Sequence, residues 1–195
     1  MSQRSSYSEL NQYLLGTWYA AYRLIISTGL LLIFVLTYPE HTSDLEYPKL
    51  YHYVLSSFIA IALIQLFVLK YFKKFVQQQL TGIFIVDVCA LSLLTLATNG
   101  TNLQLSMLFV ITIFAASILL NAQKALVITL IAVISVIYQH FITSLFTLSS
   151  LGNIGNSAIL AFMFFVVYGI GQIAVRRFQI LENVNFSQSM ELYRL

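Results

Sequence analysis

Long runs of apolar residues, separated by short polar links, dominate this chain. Six of these runs stand out, and each is close to the ~20 residues that a helix needs to cross a bilayer. They cover residues 17–38, 50–72, 79–98, 103–121, 124–148 and 153–175. The pattern therefore predicts an all-α fold, in which a polytopic membrane protein forms a six-helix transmembrane bundle.

The polar links between the runs are short. Three of them are tight turns, at residues 99–100, 121–124 and 149–153, and such turns make neighbouring helices antiparallel and adjacent. Pro39 and Pro48 both lie in the first link, so no predicted span contains a proline break. Many secondary transporters bind their substrates at broken helices. The uninterrupted spans therefore do not favour a transporter.

Composition supports a lipid environment. Charged residues make up 9% of the 195 residues and hydrophobic residues 59%, a balance that a soluble domain of this length does not have. The net charge of +3 is small and scattered along the chain, whereas a nucleic-acid-binding surface gathers its basic residues on one face. The single cysteine, Cys89, excludes an internal disulfide. We expect a lipid bilayer around the chain, no nucleic-acid partner, no cofactor and no metal.

Lysine and arginine predict the orientation of the bundle. Of the ten basic residues, nine fall on one side of the six-span arrangement and only Lys49 on the other. Because basic loops are retained in the cytoplasm, the bias predicts an N-in/C-in topology. The opposite side carries Glu40, Asp44 and Glu46. The nine residues on the basic side are Arg4, Arg23, Lys70, Lys73, Lys74, Lys124, Arg176, Arg177 and Arg194.

The pattern divides the chain into three parts. Residues 1–16 are a cytoplasmic lead-in segment, residues 17–175 the transmembrane domain, and residues 176–195 a cytoplasmic helical exit segment. Ser6 and Glu9 have the spacing of a capping box. Two interpretations of the lead-in stay open: an interfacial helix of its own, or an extension of the first span.

The last span is expected to continue as a helix beyond Arg176 and Arg177. Residues spaced alternately by four and three follow, which is the seam of a coiled coil; an ordinary helical tail is the alternative. The pattern runs to the end of the sequence without a cap, so we expect the chain to be a piece of a longer protein. The seam consists of Ala174, Phe178, Leu181, Asn185, Gln188, Leu192 and Leu195.

Arg23 and Asp87 are the ionised side chains expected inside the spans. Each costs about 2.5–3.5 kcal/mol at a bilayer centre, so each needs a compensating interaction. Their similar depths suggest an ion pair, within one protomer or across a dimer, that fixes the first helix to the third or is exchanged during signalling. Alternatively, Arg23 extends to the lipid headgroups while Asp87 is protonated or hydrogen-bonded.

Other residues in the spans are candidates for helix packing or partner contact. His140 lies beside Gln139 in the fifth span, where a buried histidine senses protons or, more often, packs between helices. His140 and Ser144 also suggest an intramembrane serine protease, but the Gly-x-Ser-Gly loop of rhomboid-type enzymes is absent. Small residues allow close helix contact. They are Ser56, Ala60, Ser157, Ala161, Gly169 and Gly171.

Four segments, in order, resemble the membrane sensor region of the PilS family, the sensor histidine kinases of type IV pilus control. The similarity runs from about residue 19 to 182. The turn at residues 99–102 departs from the family in having less glycine. The four segments are Tyr22-Arg23-Leu24, Val86-Asp87-Val88, Ile118-Leu119-Leu120 before a basic turn, and Val175-Arg176-Arg177.

The resemblance implies a function in signalling. It implies a homodimer in the bacterial inner membrane that contacts the helix of the pilin subunit within the bilayer and controls a PilR-type response regulator. A PAS domain and a kinase module would follow Leu195, so residues 1–195 would contain no catalytic residue. Arg176 and Arg177 would mark the exit of the signalling helix.

Two other classes of function stay open. One is a small six-span transporter or channel, with a substrate path along Arg23, Gln65, Asp87 and His140. The other is a membrane scaffold that binds partners without signalling, and it predicts no kinase module after Leu195.

Overall fold

The computed structural model describes residues 2–37, 48–71, 76–98, 103–147 and 152–192. Throughout these ranges the regular structure is α-helical, in six helices, which confirms the predicted all-α fold. Helices suit this sequence because lipid offers no hydrogen bonds to a free peptide group. The helices are α1 (Ser2–Thr37), α2 (Pro48–Tyr71), α3 (Val76–Ala97), α4 (Leu103–Leu119), α5 (Ala122–Thr147) and α6 (Gly152–Leu192).

Within the described ranges, five helices contain segments that are long and apolar enough to cross a membrane. These segments are Leu14–Leu36, Lys49–Val68, Gln77–Ala97, Ala122–Gln139 and Ser157–Leu181. The sixth predicted span corresponds to α4, which has 17 residues and is about 25 Å long at 1.5 Å per residue. It packs against α1, α3, α5 and α6. This short helix is therefore surrounded mainly by other helices of the bundle.

Two helices extend well past the predicted spans. The first is unbroken from Ser2 to Thr37, so the lead-in residues and the first span form one helix. The last contains 41 residues and is about 60 Å long, roughly twice the thickness of a bilayer core. The predicted continuation of the last span as a helix is therefore confirmed as far as Leu192.

Some sequence predictions lie outside the described residues. The acidic link with Glu40, Asp44 and Glu46 is among them, as are Lys73 and Lys74. The structure also does not describe the side chains of the capping box or those of the seam from Asn185 onward.

The central helices of the bundle are α3 and α4. α3 packs against α1, α2, α4 and α5, while α6 packs mainly against α4 and α5. Among the five long apolar segments, that of α3 is the most buried and that of α6 the least. The arrangement places α1 and α2 on one side of the central pair and α5 and α6 on the other.

Aromatic side chains fill the centre of the bundle. Phe84, Phe109 and Phe164 are fully buried, and the rings of Phe109 and Phe164 stack with centroids 5.7 Å apart. This contact joins α4 to α6. Because lipid tails are as apolar as these side chains, close packing and interhelical polar contacts stabilise the bundle more than the hydrophobic effect does.

Candidate functional site

Arg23 of α1 and Asp87 of α3 form an ion pair inside one chain. Arg23 Nη2 lies 2.8 Å from Asp87 Oδ1, and both side chains are only 2% exposed. These two atoms do not form a hydrogen bond, so their contact is mainly electrostatic. The alternative in which Arg23 extends to the lipid headgroups is wrong for this structure, because the Arg23 side chain is buried. The pair joins the first helix to the third.

Two neutral side chains complete the pair. The Tyr19 hydroxyl donates a hydrogen bond of 2.6 Å to Asp87 Oδ2, and Arg23 Nη1 donates one of 2.8 Å to Gln65 Oε1 of α2. Hydrogen bonds to charged groups are stronger than those between neutral groups. The resulting polar cluster, defined here as Tyr19, Arg23, Gln65 and Asp87, connects α1, α2 and α3.

Aromatic rings surround the polar cluster. The Phe58 ring lies below the guanidinium, with Arg23 Cζ 4.3 Å from the ring centroid, which is a cation–π contact. The Phe84 ring packs on Tyr19 with centroids 4.6 Å apart. Apolar walls raise the energetic cost of leaving either charge unpaired, because a lone charge in a low-dielectric environment has lost its hydration. The two charges therefore depend on each other.

The ion pair lies near the middle of the apolar segments. Asp87 is ten residues from each end of Gln77–Ala97, which corresponds to about 15 Å at 1.5 Å per residue. An unpaired charge at this depth is most costly. A change that separates Arg23 from Asp87 therefore requires a replacement partner for each of them.

Sequence reasoning identified the two charges but missed Tyr19 and gave Gln65 only a place in a possible transport path. Tyr19 lies one helical turn before Arg23, on the same face of α1. A search for polar residues one turn away from each intramembrane charge finds it. No sequence spacing identifies Gln65, because its hydrogen bond with Arg23 depends on how α2 packs beside α1.

A second polar cluster joins α3 to α5 and lies nearer the C-terminal end of α3 than Asp87 does. Thr95 Oγ1 donates a hydrogen bond of 2.6 Å to Gln139 Oε1. Gln139 Nε2 in turn donates to both the carbonyl and the hydroxyl oxygen of Ser92. The neighbouring residue, His140, has a side chain outside the part that the structure describes. Its role in packing or proton sensing stays a prediction.

The candidate small residues separate into two groups. Ser157 and Ala161 are buried inside the bundle, so they serve packing within this chain. Ser56 and Ala60 lie on an exposed face of α2 and are available to a partner.

The two glycines of α6 differ in the same way. A Cβ atom at Gly171 would lie 2.5 Å from the Ser117 Cβ of α4, whereas one at Gly169 would meet no atom within 4 Å. Only Gly171 therefore marks a close helix crossing.

The segment of α6 that precedes Arg176 and Arg177 is attached to the end of α4 and to the start of α5. Gln172 Nε2 donates a hydrogen bond of 3.2 Å to the Ser117 carbonyl, and the Tyr168 hydroxyl donates one of 3.1 Å to the Ala122 carbonyl. Beyond this attachment Arg176 and Arg177 are exposed. The bond to Ser117 joins α6 to α4, and the bond to Ala122 joins α6 to α5.

Comparison with known proteins identifies one family. The sequence model of the PilS-like transmembrane domain matches residues 5–184 of this chain. The matched range includes both polar clusters and the attachment of α6 to α4. No curated protein and no solved structure matches the chain.

Proposed function

Because the chain belongs to the PilS-like transmembrane domain family, we propose that it is the membrane sensor domain of a PilS-type histidine kinase. The observation that carries this proposal is the family match over residues 5–184. The chain is a multi-pass membrane protein. Its compartment in this proposal is the bacterial inner membrane.

The proposed orientation is N-in/C-in, with residues 176–195 as a cytoplasmic signalling helix. It is supported by the bias of lysine and arginine toward one side. The bond from Tyr168 to Ala122 adds support. It brings the start of α5, which carries Lys124, beside the segment of α6 that leads to Arg176, so these basic residues lie toward one end of the bundle.

The proposed signal is a change in how α1 and α3 pack, and α4 is its route to the exit helix. Thr112 of α4 lines the same cavity as Arg23 and Asp87. Ser117, little more than one turn further along α4, is the residue against which Gly171 packs. In this proposal a rearrangement of the ion pair shifts α4, and α4 shifts α6.

The proposed input is the apolar helix of the pilin subunit, bound within the bilayer by a homodimer of this domain. Pilin helices carry a glutamate near the mature N-terminus, and that carboxylate is a candidate partner for Arg23. Since Arg23 already contacts Asp87 and Gln65, the glutamate would have to displace Asp87. The proposed output is phosphorylation of a PilR-type response regulator by the kinase module.

The experiment that tests this function uses the full-length protein in membrane vesicles, with and without pilin, and measures autophosphorylation. We expect pilin to change the rate in the wild type and in Lys49→Gln, an exposed control. We expect no response to pilin in Arg23→Gln. An equal rate with and without pilin in the wild type would contradict pilin sensing.

The coding sequence after Leu195 tests the class of protein independently of pilin. A PAS domain followed by a phospho-acceptor histidine is expected. A coding sequence without a kinase module would contradict the sensor proposal and leave a scaffold or a six-span transporter or channel. Solute flux through purified protein in liposomes then separates those two.

A further inference from the structure

A small cavity lies beside the ion pair, where α1, α2, α3 and α4 meet. Its volume is about 30 Å³, and its polar lining consists of Tyr19, Tyr22, Arg23, Asp87 and Thr112. A cavity of ~10–15 Å³ or more on this measure has room for a water molecule if it also offers hydrogen-bonding partners. The cavity is therefore large enough for one small polar molecule.

Four buried polar atoms of the lining residues have no hydrogen-bond partner among the described residues. They are the Tyr22 hydroxyl, Arg23 Nε, Arg23 Nη2 and Asp87 Oδ1. Oδ1 lies near Arg23 Nη2, but the two atoms do not form a hydrogen bond. Buried polar groups in folded proteins are paired with protein or with ordered water in the great majority of cases. Nη2 and Oδ1 keep each other as ion-pair partners, so the hydrogen-bonding capacity left for a ligand is that of the Tyr22 hydroxyl, Arg23 Nε and Asp87 Oδ1.

The chemistry of these atoms restricts what that partner is. Arg23 Nε is a donor only, so the ligand must accept a hydrogen bond; an ionised Asp87 Oδ1 is an acceptor only, so the ligand must also donate one. The guanidinium repels a cation and the carboxylate repels an anion. A neutral molecule with one heavy atom that both donates and accepts satisfies all three atoms.

We propose that this cavity is a binding site for one ordered water molecule, which accepts from Arg23 Nε and the Tyr22 hydroxyl and donates to Asp87 Oδ1. The water makes Tyr22 part of the polar cluster, although Tyr22 does not touch either charge directly in the described contacts. Thr112 Oγ1 already donates to the Leu108 carbonyl at 2.8 Å and keeps a lone pair for the same water. The site depends on the cavity alone and stands whether or not the domain senses pilin.

Apolar side chains also line the cavity, among them Ile26, Phe58 and Leu91. Purely apolar cavities stay dry, so the polar atoms of the lining decide whether this cavity holds a water molecule.

The direct test is a crystal structure of the complete chain grown in a lipidic mesophase at about 2 Å resolution. We expect a single density peak within about 2.6–3.2 Å of both Arg23 Nε and the Tyr22 hydroxyl. The absence of a peak there, while other interior waters are visible, would overturn the site, and so would elongated density of a lipid or detergent.

Nuclear magnetic resonance in nanodiscs provides a second test. With ¹⁵N-arginine labelling, magnetisation transfer from water to the Arg23 Nε proton is expected in the wild type. Thr112→Leu fills the cavity and should reduce the transfer to background. The matched control is Thr81→Leu, another helical threonine whose hydroxyl bonds its own backbone, to Gln77 at 2.7 Å, and it should leave the transfer unchanged. Full transfer in a folded Thr112→Leu protein would overturn the proposal.

Discussion

Gly171 of α6 lies against Ser117 of α4, so close that a Cβ atom at position 171 would be 2.5 Å from the Ser117 Cβ. Real Cβ atoms do not approach one another to this distance, and the Ser117 Cβ cannot rotate away, because it is fixed to the backbone. The crossing of these two helices therefore requires glycine at position 171. The hydrogen bond from Gln172 to the Ser117 carbonyl strengthens the same crossing.

Gly171→Ala should destabilise the bundle. A methyl group at this crossing forces α6 and α4 apart, and overpacking of this kind costs about 1–3 kcal/mol. The measurement is the free energy of unfolding in mixed micelles. Gly169→Ala is the matched control, since a Cβ there meets no atom within 4 Å, and its effect should stay within about 0.5 kcal/mol. Equal effects of the two substitutions would contradict the close crossing.

Tyr19→Phe should destabilise the bundle through Asp87. The substitution keeps the ring on Phe84 but removes the hydrogen bond to the carboxylate. A bond to a charged group contributes about 1.5–3 kcal/mol, and we expect a loss in that range. Tyr138→Phe, at an exposed position of α5, is the control. If Tyr19→Phe proves as mild as its control, the hydroxyl does not support Asp87.

Gln139→Leu should loosen the contact of α5 with α3. It removes the bonds to Thr95 and Ser92 while keeping a side chain of similar size. Polar contacts between membrane helices contribute about 0.6–1.7 kcal/mol, so the unfolding free energy should fall by about 1 kcal/mol. The exposed Gln123 of the same helix provides the control, Gln123→Leu. A stability gain in Gln139→Leu would show that apolar packing outweighs this polar cluster.

Much of the fold can be predicted from the sequence because a lipid environment imposes one simple rule on the backbone. Each apolar run of sufficient length becomes a helix, since every peptide group must find its partner within its own segment. The same rule made Arg23 and Asp87 conspicuous, because two charges among apolar residues require a partner. Their similar depths within the spans were enough to predict that they form an ion pair.

The rest of the site depends on how the helices pack, which the apolar pattern does not specify. Lipid and protein interior are equally apolar. The sequence of α2 therefore does not show that the side with Gln65 faces Arg23 while the side with Ser56 is exposed. For the same reason Gly169 and Gly171 are equivalent in sequence, although only Gly171 meets another helix. Small and polar residues reveal contacts only once the neighbouring helix is known.

The ion pair between Arg23 and Asp87 is the centre of the polar cluster, and a double-mutant cycle of unfolding free energies tests it most directly. Arg23→Gln and Asp87→Asn each leave one buried charge without its partner, which costs about 3–5 kcal/mol. The double variant leaves no charge, so its loss should be smaller than the sum of the single losses by about 2 kcal/mol or more. Losses that add to within about 0.5 kcal/mol would contradict the ion pair.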